Sequence, residues 1–124
     1  LWKGIEMKDK RTKAIEKILN ELGINIANKG YRYWTTAINY YIENDMDCNM
    51  EEIYIEVAMR HKTTKSRAER VLRYVCNNNR KRIEEYFKVK YTVTNKVFLR
   101  LMSETVVNYE TGEFVENDSK KLKQ

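Results

Sequence analysis

The chain has 124 residues, is 42% hydrophobic and carries a formal charge of +6 with a pI near 9.3, which suits one domain with a modest core. No apolar run approaches the roughly 20 residues of a membrane span, and Leu1-Trp2-Lys3-Gly4 lacks a signal-peptide stretch, so no membrane association and a cytoplasmic location are expected. Cys48 and Cys76 have no CxxC spacing and share the chain with a single histidine, His61, so the cysteines are read as reduced thiols and neither metal nor cofactor is expected.

The absence of proline and the presence of only 4 glycines predict an all-α domain with short connections. A first helix is expected over about Lys8 to Leu22, with Ile15, Ile18, Leu19 and Leu22 inside and Gly23 as a left-handed cap. After a linker, a second helix from about Tyr31 to Asn44 puts Trp34, Ala37, Ile38, Tyr41 and Ile42 on one face. Asn49 and Glu52 have the spacing of a capping box and open a third helix that ends near His61. Lys62-Thr63-Thr64 forms the next turn, and the Thr64 hydroxyl can cap a fourth helix by accepting from the N–H of Ser66 or Arg67. Asn77-Asn78-Asn79 ends that helix. A short helix carrying Ile83, Tyr86 and Phe87 follows, then an extended Tyr91-Thr92-Val93. A last helix, capped at Thr94 or Asn95, carries Phe98, Leu99, Met102 and Val106. The expected architecture is a compact bundle of about six helices over residues 1–107, with a helix-turn-helix at about 50–77. Beyond Val107 an acidic then polar tail, residues 108–124, is expected; its YETGEF segment alternates around a Thr-Gly turn and suggests a small hairpin.

The helix after Thr64 carries the chemistry. Ala58 is small enough for the helix crossing, while Ala68, Val71, Leu72 and Val75 form an inward stripe, so Lys65, Ser66, Arg67, Glu69, Arg70 and Arg73 must face outward. An arginine can bond guanine O6 and N7 together and a glutamate can accept from a cytosine amino group, which makes Arg67, Glu69 and Arg70 candidate base readers in the major groove. Thr64, Lys65, Ser66 and Arg73 suit phosphates. The competing interpretation is a solvated face held by local ion pairs such as Glu69 with Arg73. The charge distribution favours DNA: Arg60 to Arg73 holds six basic residues against one acidic, whereas Glu43 to Met59 holds six acidic residues and no basic one. Arg80, Lys81, Arg82, Lys88 and Lys90 can reach phosphates or form a solvated basic rim.

Four blocks in order, ILNELGI, NKGYRYWTTAI, VAMRHKTTKSRAERVLRYV and TNKVFLRLMSE, carry a resemblance to the C-terminal effector domains of the stage-zero sporulation protein A family of response regulators. The resemblance spans roughly Ile18 to Glu104, and the Thr63 to Arg70 segment is its most specific part. It implies a six-helix bundle that binds short tandem DNA boxes as a head-to-tail pair of domains. It also implies base contacts for Arg67, Glu69 and Arg70 and a backbone contact for Arg73. Met59-Arg60 stands where the family has a lysine pair, and the segment around Lys90 to Thr94 is shorter. The family's regulators carry a receiver domain ahead of this one; none is expected within this chain, so the usual phosphorylation switch is not expected to operate in it.

The expected function is a sequence-specific transcription regulator acting on double-stranded DNA, as a homodimer on tandem sites. The alternative is a stand-alone interaction module that binds a protein partner, such as a full-length regulator, without strong DNA binding of its own. Non-specific nucleic-acid binding is a third reading. Enzymatic activity is not expected, since no phosphate-binding glycine loop, Cys/His pair or metal-ligand spacing is present and Glu51/Glu52 and Glu84/Glu85 point apart on helices.

Overall fold

The computed structural model describes residues 2–112. Six helices follow one another: α1 Trp2–Glu21, α2 Lys29–Glu43, α3 Met50–Arg60, α4 Lys65–Asn78, α5 Arg80–Phe87 and α6 Asn95–Thr111. The all-helical bundle is therefore as expected, and no strand occurs among the described residues. No described helix is long and apolar enough to cross a membrane.

The boundaries follow from local chemistry. The Asn49 side chain accepts from Glu52 N at 2.9 Å while Glu52 accepts from Asn49 N at 3.0 Å, completing the capping box of α3. The Asn28 side chain caps α2 through Gly30 N at 2.7 Å, and Thr94 caps α6 through Val97 N. At the end of α1, Gly23 N reaches Asn20 O and Ile24 N reaches Leu19 O at 3.0 Å, which closes a Schellman motif with Gly23 at φ +82°. Helix α1 begins at Trp2, earlier than Lys8.

Two expectations need correction. The YETGEF hairpin does not form in the described part: Tyr109, Glu110 and Thr111 are the last residues of α6, and Gly112 at φ +79° is its cap. The cause is packing against α1, where the Arg11 guanidinium pairs with Glu110 at 3.1 Å and the Lys17 ammonium donates to the Tyr109 hydroxyl at 3.2 Å. Glu113 and Phe114 lie outside the described residues, as does the tail to Gln124. Val71 does not join the fully buried stripe of α4 but stays half-exposed at its edge.

Helix α2 runs through the middle of the bundle and packs on α1, α3, α4 and α6. Trp34 is fully buried, meets Phe98 edge-on with ring centroids 4.8 Å apart, and donates its indole N–H to the Leu72 carbonyl of α4 at 3.1 Å. An added Cβ at Gly30 would lie 2.2 Å from Val75 Cγ2, so only glycine lets the head of α2 come this close to α4. That approach brings Asn28 and Lys29 beside the candidate site.

Candidate nucleic-acid interface

Helices α3 and α4 are joined by a four-residue turn whose geometry is fixed by named bonds. His61 N returns to Val57 O and Thr63 N to Ala58 O at 2.9 Å, with Lys62 in the left-handed region at φ +54°. Thr64 is extended and its hydroxyl accepts from Arg67 N at 3.1 Å, as the sequence predicts. Ala58 and Ala68 are both buried, which allows the two helices to cross closely. Ala68, Leu72, Val75 and Cys76 face the core.

On the opposite side Thr64, Lys65, Ser66, Arg67, Arg70 and Arg73 are all exposed, and Glu69 is half-buried. The cations differ in what they touch. Arg73 Nη1 pairs with Glu69 Oε2 at 2.8 Å along the helix, so the local ion pair anticipated as the competing interpretation does form. Lys65 pairs with Glu51 of α3, and Arg60 pairs with Glu56 at 2.9 Å. No carboxylate among the described residues pairs with Arg67 or Arg70. Such surface pairs hold side chains only weakly in water, so Lys65 and Arg73 remain available to a stronger anion. Of the α5 rim, Arg80 is tied to Glu84 at 3.1 Å.

Beside Arg70 a groove of about 440 Å³ opens between α4 and the head of α2, lined by Asn28, Lys29, Arg70, Arg73, Tyr74 and Asn77. A smaller one of about 240 Å³ brings Lys29, Tyr33 and Thr63 against Arg67 and Arg70. Sequence reasoning missed Lys29 and Tyr74 as part of this surface. Tyr74 is 63% exposed, and the only sequence signal for Lys29 was the Asn28-Lys29-Gly30 run, a cap and a cation ahead of a glycine.

His61 supports the turn. Its Nε2 lies 2.7 Å from the Thr36 hydroxyl and its ring stacks on Tyr33 with centroids 4.5 Å apart. Burial, together with Arg32 and Arg60, pushes its pKa below the ordinary 6.5, so the ring is neutral near pH 7. Burial also pushes the Cys76 thiol up to about 12, which leaves it protonated and unreactive. No cluster of three or more His, Cys, Asp or Glu among the described residues could hold a metal ion.

A helix-turn-helix with an arginine-bearing outer face is suited to duplex DNA. No solved structure matches the chain. The family described as sporulation initiation factor Spo0A C terminal matches residues 15–107, which takes in α2 to α5 entire, the C-terminal end of α1 and most of α6. The chain therefore belongs to that family, the DNA-binding effector domains of sporulation regulators.

Proposed function

We propose that the chain is a sequence-specific transcription regulator that lays α4 in the major groove of double-stranded DNA. The observation that carries this reading is that Arg67 and Arg70 stand exposed on α4 without carboxylate partners among the described residues, on the face away from the core. Arg67 and Arg70 each bond a guanine in this reading, and Glu69 accepts from a cytosine amino group. Thr64, Lys65 and Ser66 meet phosphate at the head of α4, where free backbone N–H groups add to the lysine charge. Arg73 exchanges Glu69 for a phosphate, and Lys29 extends the phosphate track across the groove to α2. Two copies then occupy tandem sites as a homodimer.

Selection of bound duplexes from a random pool at about 150 mM salt tests this, since non-specific attraction is already weakened there. A recovered motif with a repeated half-site is the expected result. Recovery of no motif contradicts the proposal. A second reading, an interaction module for a protein partner without strong DNA binding, is favoured by one observation: Lys65 and Arg73 are already neutralised by Glu51 and Glu69. It requires that a full-length regulator of the family be retained by the chain while the pool returns nothing.

A further inference from the structure

Helix α4 is held from behind by two side chains that belong to neither α3 nor α4. One is Trp34 on Leu72 O. The other, one turn earlier, is Asn95 of α6, whose Nδ2 donates to the Tyr54 hydroxyl of α3 at 3.2 Å and lies 3.5 Å from the Glu69 carbonyl of α4. A helical carbonyl in that position already serves the helix ladder. The extra donors are therefore not required to satisfy α4; what they add is a fixed point. Asn95 is 7% exposed and its Oδ1 has no hydrogen-bond partner among the described residues. An orphaned amide oxygen in the interior costs stability that an apolar side chain of the same size would avoid. Packing alone does not account for an amide here.

We propose that Asn95 is a positioning residue for sequence discrimination: it ties Tyr54 of α3 and Glu69 of α4 to the head of α6, so that the outward side chains leave α4 at a fixed height and rotation. The inference rests on the DNA reading above. Side chains that read bases must be held to within about 0.5 Å of their productive geometry. Attraction to phosphates instead decays over about 8 Å at physiological salt. An α4 freed to shift slightly therefore loses discrimination before it loses general affinity for DNA. Trp34 holds the other point, but it is fully buried and central to the core, whereas Asn95 can be released.

The test uses the full chain and two duplexes of equal length, one recovered from a random pool by the wild-type chain and one of random sequence. Asn95→Leu removes the amide while keeping the branching and the number of side-chain heavy atoms, and Tyr54→Phe removes only the hydroxyl it reaches. Both variants are expected to unfold cooperatively in urea and to bind the random duplex within about twofold of wild type. Preference for the recovered duplex is expected to fall about tenfold in Asn95→Leu and about threefold in Tyr54→Phe. The double variant should be no worse than Asn95→Leu, because both substitutions break one link. Equal losses on both duplexes, the result of a merely structural role, overturn the proposal, and so does an unchanged preference. If Asn95→Leu does not fold, Tyr54→Phe decides on the same criterion. A wild-type chain that recovers no motif overturns the DNA reading and this inference with it, whereas a motif retained by an indifferent Asn95→Leu overturns the inference alone.

Discussion

Helices α3 and α4 pack side by side across one short turn, yet they spend their charges differently. In α3 the acids are engaged within the protein: Glu52 closes the capping box, Glu56 pairs with Arg60 and Glu51 reaches Lys65. Helix α4 leaves Arg67 and Arg70 pointing to solvent without carboxylates among the described residues. In the proposed reading α3, whose charges are used internally, is the scaffold, and α4, whose arginines are left over, meets the partner. The contrast supports the proposed roles within the helix-turn-helix, which charge totals alone would blur, because α4 also carries a satisfied pair in Glu69 and Arg73.

The contrast can be broken from inside by removing the packing both helices share. Leu72 is fully buried, and Leu72→Ala is expected to cost about 2 to 5 kcal/mol in urea unfolding and to weaken all DNA binding in step with the folded fraction. A loss below about 1 kcal/mol would mean that the inner face of α4 is not part of the core. The outer face is sharpened next. Arg67→Ala should cost about 1 to 3 kcal/mol on the recovered duplex and relax discrimination, with thermal stability unchanged. Equal weakening on random DNA would reassign Arg67 to phosphate.

On the scaffold side, Asn49→Ala is expected to lower stability by about 0.5 to 2 kcal/mol and to leave the ratio of recovered to random affinity untouched. A changed ratio would show that the cap of α3 governs reading as well as folding. Arg73→Ala should weaken both duplexes alike and reduce the slope of log affinity against log salt by about 1. A loss confined to the recovered duplex would make Arg73 a base contact.

The smallest effect concerns pH. The pKa of His61 is lower in the folded chain than its ordinary 6.5, so the stability its neutral ring contributes is present above that value and lost as pH falls below it. Urea midpoints measured down to about pH 5 should decline more steeply in the wild type than in His61→Gln. Parallel curves would remove His61 from the account of the turn.

Much of the fold was legible because its boundaries are local. Asn49 with Glu52, Thr64 and Gly23 each fix a helix end through bonds to residues within a few positions, and those residues stand together in the sequence. The end of α6 was misread because a Thr-Gly pair serves a hairpin turn or a helix stop equally well. The choice is made by Arg11, 99 positions from Glu110, and no local pattern carries that contact. The exposed residues of α4 were legible for the same reason as its core stripe, since helical spacing fixes both at once. Lys29 was not, because it reaches the α4 surface only when Gly30 allows α2 to close on Val75. Glu69 was legible as an outward residue and, through its i,i+4 spacing, as a partner for Arg73, but not as one already half-buried.

The most direct test of the central claim is guanine N7 methylation interference on the recovered duplex. Arg67 and Arg70 are assigned to guanine N7 and O6 in the major groove, so methylation at two or more guanines should block binding of the wild-type chain. Arg67→Ala should lose the interference at one guanine while the others persist, and Arg70→Ala at a different one. Binding that is indifferent to N7 methylation, or interference that neither substitution alters, would contradict the claim that α4 reads bases.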